Sequence, residues 1–162
     1  MKKQPLFILL ILFAGASCKK AETDKPYVPV TRCADMTRNM DTINKYIQGN
    51  WEWVEEYRMT RENGLELITP NTPGQKRLFW FLSGDTAKLH FENQPDSIYR
   101  FRIQREYEIT NYVTDSLPVL AFYGLIDNLR RSYVPIMICP NQLLTQHQYV
   151  SSFFGESLWV KK

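Results

Sequence analysis

The sequence has few of the residues that build metal and catalytic sites, with two histidines and three cysteines among 162 residues. His90 and His147 fall in separate predicted strands, and no Cys-x-x-Cys pair or Cys/His cluster provides zinc-site spacing. The Gly-x-Ser-x-Gly and His-Glu-x-x-His motifs and a glycine-rich phosphate loop are also missing. The sequence therefore predicts a protein that is not an enzyme and holds no metal or cofactor.

Paired carboxylates suited to acid–base catalysis are missing as well. Glu55 and Glu56 are adjacent, and adjacent residues of a strand point to opposite faces. Two such carboxylates cannot act on the same proton.

A strong positive charge is absent too, since 20 basic residues face 17 acidic ones. Lys2 and Lys3 belong to a predicted signal peptide, and its removal leaves 18 basic residues. A nucleic-acid-binding face needs clustered lysine and arginine, so the sequence predicts no nucleic-acid partner.

The hydrophobic run Leu6 to Ala16 is too short for a membrane-spanning helix, which takes about 20 apolar residues. Two lysines precede this run, and small residues lead from it to Cys18. This arrangement resembles a bacterial lipoprotein signal. Gly15 stands where such signals usually carry Leu, Val or Ile, and loose signals of this kind are similar to those of Bacteroidota lipoproteins.

The lipoprotein signal implies removal of residues 1–17 and attachment of lipid, such as palmitate, to Cys18. The chain would then be anchored to the cell envelope, with the outer membrane expected and its periplasmic or surface side left open. The alternative is a plain secretory signal that is cut elsewhere, with Cys18 an ordinary cysteine.

Export would place Cys33 and Cys139 in an oxidising compartment, where an even pair suggests a disulfide. Closing a loop of that length stabilises the fold by about 4 to 5 kcal/mol in the chain-entropy model. Two unpaired buried thiols are the alternative, because sequence does not show whether the two sites come within reach.

The chain divides into a signal peptide over 1–17, a polar tether with two prolines over 18–30, and one domain over 31–162. Helical spacing of apolar residues predicts a helix over 34–48, capped by Thr31 or Asp35 and ended by Gly49. The residues with this spacing are Met36, Met40, Ile43 and Ile47.

Strand patterns and turn signals follow Gly49 to the end of the chain. The clearest strand is Ile98 to Ile109, in which apolar and polar residues alternate. Eight or nine short strands without a second helix indicate an antiparallel barrel or sandwich.

The segment Gly49-Asn50-Trp51 resembles the Gly-x-Trp signature of lipocalins, in which a short helix precedes the first strand and the tryptophan closes the base of the barrel. Together with the segments below, it is similar to lipocalin-like lipoproteins of Bacteroidota over roughly residues 47–161. The segments are Gly49 to Val54, Thr69 to Gly74, Arg77 to Phe81, and the Gly-Asp turn with Thr86 to Phe91.

Two lipocalin signatures depart from the pattern. Thr110-Asn111-Tyr112 only echoes the second signature, Thr-Asp-Tyr, and no arginine matches the third. The resemblance implies an all-β fold, a small antiparallel up-and-down β-barrel of about eight strands preceded by one short α-helix. It also implies a binder of small molecules or partners in the cell envelope.

Two charged residues, Glu55 and Arg105, fall on the face that the alternation assigns to the barrel interior. Arg105 either pairs with Glu55 or meets an acidic ligand in an aromatic pocket, because a buried unpaired charge is costly. Alternatively, a β-bulge shifts the register and puts both residues outside. The candidate ligand-binding residues are Trp53, Glu55, Tyr57, Trp80, Tyr99, Phe101, Arg105 and Tyr107.

The aromatic candidates have a second interpretation, because aromatic residues in a small barrel often form its core. The sequence thus predicts an anchored lipoprotein that binds a small hydrophobic or amphipathic ligand. The alternative is a filled barrel that acts through its surface on another envelope protein. Leu117 to Ile126 and Val134 to Ile138 are apolar on both faces, which indicates either cover by the helix or an exposed patch.

Overall fold

A computed structural model describes residues 27–60, 64–109, 114–149 and 153–162. The predicted signal peptide, Cys18, most of the predicted tether and Thr110-Asn111-Tyr112 lie outside these ranges. No helix in the described part of the chain is long and apolar enough to cross a membrane.

Within these ranges, strands β1 and β3 to β9 form a closed antiparallel barrel, because β1 pairs with both β3 and β9. The extra strand β2 pairs with the second half of β1. The predicted fold class, an up-and-down barrel of about eight strands preceded by one short helix, is confirmed. The elements are α1 Met40–Tyr46, β1 Gly49–Thr60, β2 Gly64–Ile68, β3 Leu78–Ser83, β4 Thr86–Phe91, β5 Ser97–Ile109, β6 Thr114–Tyr123, β7 Arg130–Cys139, β8 Gln142–Tyr149 and β9 Phe153–Lys161.

The helix is shorter than the predicted range 34–48. Thr37 instead exchanges two backbone hydrogen bonds with Ile138 of β7, each 3.0 Å long. A residue whose backbone pairs with a strand cannot also belong to a helix, so α1 begins only at Met40. Asn39 caps it by accepting a hydrogen bond from the backbone N–H of Thr42, and the predicted caps Thr31 and Asp35 were wrong.

The helix closes one end of the barrel around Trp51, which is fully buried. The Trp51 Nε1–H donates to the carbonyl of Ile47 at 2.7 Å. The Lys161 ammonium donates to the carbonyl of Tyr46 at 2.8 Å and lies 5.2 Å from the centre of the Trp51 ring. The end of β9 therefore ties the helix to the start of β1.

Gly49 is required where the chain turns from the helix into β1. Its φ of +128° is a backbone conformation that favours glycine, and an added Cβ would lie 2.7 Å from Cε of Lys161.

We expect Gly49→Ala to lower the free energy of unfolding by about 1 to 2 kcal/mol, through backbone strain and displacement of Lys161. Urea denaturation measures this change. Gly74→Ala is the control, because a Cβ added at Gly74 meets nothing within 4 Å. This variant therefore measures the cost of backbone strain without the contact to Lys161.

Residues 27–38, here called the strap, run along the outer wall of the barrel. Arg32 pairs with Glu156 of β9 at 2.9 Å, and Arg38 donates to Gln146 of β8 at 3.1 Å. The Tyr27 hydroxyl also donates to the carboxylate of Glu55 in β1 at 2.6 Å, so packing on the barrel extends into the range predicted as a tether.

The strap has an acid-sensitive contact at Glu156. Partial burial acts to raise the pKa of this carboxyl, but hydrogen bonds from Arg32 and Gln146 outweigh burial and hold the pKa below its usual value. A depressed folded-state pKa contributes stability above the unfolded pKa of about 4.3, and this contribution is lost as pH falls through the folded pKa.

We expect Glu156→Gln to destabilise the chain at pH 7, and we expect this effect to shrink as the pH falls below about 4.3 and through the lower folded-state pKa, where the wild-type carboxylate becomes protonated. Thermal unfolding of both proteins across this pH range measures the difference. An equal difference at both ends of the range would contradict a role for the ionised carboxylate.

Candidate functional site

A β-bulge in β1 decides which glutamate faces the barrel interior. Trp53 pairs with Trp159 of β9, but the next pair is Glu55 with Leu158, so Val54 is an extra residue in β1. The side-chain alternation therefore changes phase at this point. Trp53 and Glu56 face the interior, and Glu55 faces the strap outside.

The interior opens into a cavity of about 390 Å³ at the end of the barrel opposite the helix. Strands β1, β3, β4 and β9 and the loop before β3 provide its walls. The lining residues are Trp53, Glu56, Gly74, Gln75, Lys76, Leu78, Trp80, Phe91, Gln94, Ser157 and Trp159.

Stacked tryptophans form the inner boundary of this cavity. The ring centroids of Trp80 and Trp159 are 3.9 Å apart, and Trp80 meets the edge of Phe122 at 5.5 Å. The Trp159 Nε1–H donates to Oγ1 of Thr145 at 3.1 Å. Below these rings the core is filled by apolar side chains, so the cavity occupies only the open half of the barrel.

The cavity also contains charged and polar groups. The Glu56 carboxylate is largely buried and accepts hydrogen bonds from Arg58, at 2.9 Å from Nη2 and 3.0 Å from Nε. Lys76, Gln75 and Gln94 line the loop side of the opening. The cavity thus combines aromatic faces with a paired carboxylate and a lysine at its rim.

A second hollow, of about 410 Å³, lies between the strap and β1 on the outer wall. It includes Glu52, which forms ion pairs with Arg77 at 3.0 Å and with Lys162. Two cations already neutralise this carboxylate, so the hollow is a weaker candidate site than the interior cavity.

The structure separates the candidate residues that the sequence grouped together. Trp53 and Trp80 line the cavity. Tyr99 and Phe101 pack in or against the apolar core. Tyr57 lies on the outer face, with the Arg32 guanidinium 5.1 Å from its ring centre.

Glu55 does not meet Arg105, and the pairing that the sequence suggested is absent from the structure. The Glu55 carboxylate is 1% exposed and accepts hydrogen bonds from the Tyr27 hydroxyl at 2.6 Å and the Val30 backbone N–H at 3.3 Å. The bulge interpretation describes Glu55, although the strap keeps it buried.

Arg105 and Tyr107 are exposed for a different reason. The pairing of β6 with β7 spans only Val119 to Tyr123, so the remainder of the β5–β6 hairpin extends beyond the barrel wall. Arg105 Nη1 donates to the carbonyl of Ser116 at 2.9 Å, and Tyr107 is 72% exposed. Alternation persists along β5, but none of the residues that the structure describes covers its inward face at Tyr107.

Sequence reasoning missed several cavity residues, including Glu56 and Trp159. Glu56 faces the cavity because of the bulge at Val54, and no local sequence motif predicts this bulge. Trp159 follows another apolar residue, Leu158, so alternation did not show which of the two points inward. The aromatic composition of the last strand was the available signal.

His90 is paired with an acidic side chain. His90 Nδ1 lies 2.7 Å from Oδ1 of Asp96 on the surface, and the side chain of His147 lies outside the described residues. Among the described residues, no group of three potential ligands could hold a metal ion.

No family model matches the chain, and no curated protein or solved structure shows a detectable similarity to it. The geometry of the cavity and the sequence are therefore the observations that bear on function.

Proposed function

We propose that the chain is a lipocalin-like lipoprotein of the cell envelope, anchored through acylated Cys18, which binds one small amphipathic molecule in the open half of its barrel. The observation that carries this proposal is the cavity of about 390 Å³ with a tryptophan floor and a polar rim. The lipoprotein signal before Cys18 supports the anchor.

The size of the cavity favours a small ligand. Pockets for small molecules usually measure about 300 to 1,000 Å³, and this cavity lies near the lower end of that range. Because Trp80, Trp159 and the core below them fill the rest of the barrel, a long extended acyl chain does not fit inside.

The chemistry of the lining favours a molecule with an apolar body and a polar end. Indole rings bind flat or aliphatic groups through a large apolar surface. Glu56 and Lys76 provide opposite charges close to the opening, where they can orient the polar end of the ligand.

The test is to extract the full chain from membranes and to record its mass before and after denaturation. The denatured mass reports loss of residues 1–17 and acylation of Cys18. A non-covalent adduct that disappears on denaturation supports the cavity as a ligand site. A native mass without an adduct, even after incubation with an envelope lipid extract, would contradict ligand binding.

We expect Leu78→Trp to weaken binding of the apolar dye anilinonaphthalene sulfonate by at least about tenfold, equivalent to about 1.4 kcal/mol. Leu78 lines the cavity, and the larger indole ring of tryptophan would fill part of the cavity volume. Leu65→Trp is the matched control, because Leu65 is exposed on β2. Fluorescence titration measures both affinities, and equal affinities would place the dye elsewhere.

A second candidate function is docking of another envelope protein on the β6–β7 turn. Most of the apolar stretches predicted as a patch are buried, but Leu125, Ile126 and Leu129 are exposed, and Ile126 is fully exposed. The polar residue Asp127 points back into the turn, where it accepts a hydrogen bond from the Leu129 N–H at 3.0 Å. This turn presents apolar side chains outward from a hydrogen-bonded backbone, as expected of a docking surface.

A photo-cross-linking residue at position 126 tests this alternative in cells. One discrete cross-linked protein supports docking, provided that the same residue at Asp85, in the exposed β3–β4 turn, gives none. Identical cross-linking from both positions would contradict a specific surface.

A further inference from the structure

Cys33 and Cys139 lie beside each other where the strap crosses the turn between β7 and β8. The Gln142 side chain, opposite Cys139 in the strand pairing, holds the strap at two points. It accepts a hydrogen bond from the Cys33 N–H at 2.7 Å and donates one to the carbonyl of Thr31 at 2.8 Å. The two thiols, free in this structure, are themselves within hydrogen-bonding reach of each other.

The surroundings of the two thiols differ. Cys139 is 1% exposed, and burial together with the Cys33 thiol raises the pKa of Cys139. Cys33 is only half-buried. Of the two residues, Cys33 is therefore the one more open to an external reagent.

We propose that Cys33 and Cys139 form a disulfide that locks the strap to the barrel wall, and that Cys33 is the sulfur through which this bond forms. The oxidant is an external disulfide, either a small one such as oxidised glutathione or that of a thiol–disulfide oxidoreductase. The cross-link is independent of ligand binding in the cavity.

The chemistry takes two exchange steps. The Cys33 thiolate attacks the external disulfide, which forms a mixed disulfide and releases one external thiolate. The Cys139 thiol then loses its proton, and its thiolate attacks the Cys33 sulfur and displaces the second external thiolate. Two protein thiols have lost two electrons and two protons, and one external disulfide has become two thiols.

The location of the bond gives it a structural role. Four residues beyond Cys33, Thr37 pairs with Ile138, and α1 then closes the base. A covalent link between strap and β7 would hold this closure in place when the ion pairs of the strap are disrupted. Reduction requires Cys139 as the leaving group, and a thiol of raised pKa leaves slowly, so the folded chain should resist reduction.

The test treats the full folded chain with oxidised glutathione and maps its tryptic peptides by mass. The wild type is expected to join the Cys33 and Cys139 peptides and to retain no glutathione. Cys139→Ser should trap one glutathione on Cys33, whereas Cys33→Ser should acquire none on Cys139. Tryptophan fluorescence checks that both variants are folded.

The rate of ring closure provides a second readout. Below the pKa of Cys139, the rate should rise about tenfold for each pH unit, because the thiolate is the nucleophile. A wild type that keeps two alkylatable thiols, or a Cys33→Ser variant that acquires glutathione on Cys139, would overturn the proposal. A free thiol at Cys18 maps to a separate peptide, so it reports failure of the proposed acylation and not of the cross-link.

Discussion

Replacing Trp159 with Ala is expected to lower the free energy of unfolding by about 3 to 5 kcal/mol, the range for deleting a large buried aromatic side chain. Trp159 is 2% exposed, and its ring stacks on Trp80 at 3.9 Å. Its removal also leaves Oγ1 of the buried Thr145 without the indole donor at 3.1 Å. Urea denaturation followed by circular dichroism measures the loss.

Trp159→Phe is the control for this prediction. Phenylalanine keeps a ring against Trp80 but lacks the N–H donor, so we expect a smaller loss than for alanine. The alanine variant should also lose ligand, because Trp159 separates the cavity from the core. A loss of less than about 1 kcal/mol for alanine would show that the tryptophan pair does not support the barrel.

Replacing Glu55 with Ala is expected to lower the free energy of unfolding by about 2 to 3 kcal/mol and to release the first part of the strap. This carboxylate accepts hydrogen bonds from two partly buried donors, which are the Tyr27 hydroxyl at 2.6 Å and the Val30 N–H at 3.3 Å. Burial and the Glu55 carboxylate raise the pKa of Tyr27, so the phenol stays protonated and donates.

Hydrogen exchange of residues 27–33 measures release of the strap, and the same variant should bind cavity ligands as well as the wild type. Glu55→Gln should lose less stability, because the amide oxygen still accepts from Tyr27. Glu56→Gln is the matched control, since Glu56 lines the cavity on the other face of β1 from Glu55, so this variant should affect ligand binding and leave the exchange of residues 27–33 unchanged. Unchanged exchange in Glu55→Ala would contradict the role of Glu55 as the strap anchor.

Local patterns predicted the elements well where a single face is buried along a whole strand. Trp51 and Phe101 are in the core, as alternation indicated, and the turn signals separate the strands of an antiparallel barrel. The helix was predicted too long because Met36 shares the helical spacing of Met40, Ile43 and Ile47. The backbone of Thr37 pairs instead with β7, a partner about a hundred residues away.

The candidate site was predicted only in part, because it depends on register. Trp53 and Trp80 line the cavity. One extra residue, Val54, reverses the facing of Glu55 and Glu56, and a phase change of this kind moves every later side chain to the other face. Arg105 is similarly exposed because the pairing of β6 with β7 ends at Val119, which leaves this part of the β5–β6 hairpin beyond the barrel wall.

The sequence by itself determined the all-β class and the helix before the first strand, since these follow from spacing and turn chemistry between near neighbours. It also predicts, without a test from the structure, a lipoprotein signal before Cys18. Only the tertiary structure decided that the mouth of the barrel is hollow, that Glu56 and not Glu55 enters it, and that Cys33 reaches Cys139. These features depend on pairing between distant strands, where the energy of a contact is set by which residues the register brings together.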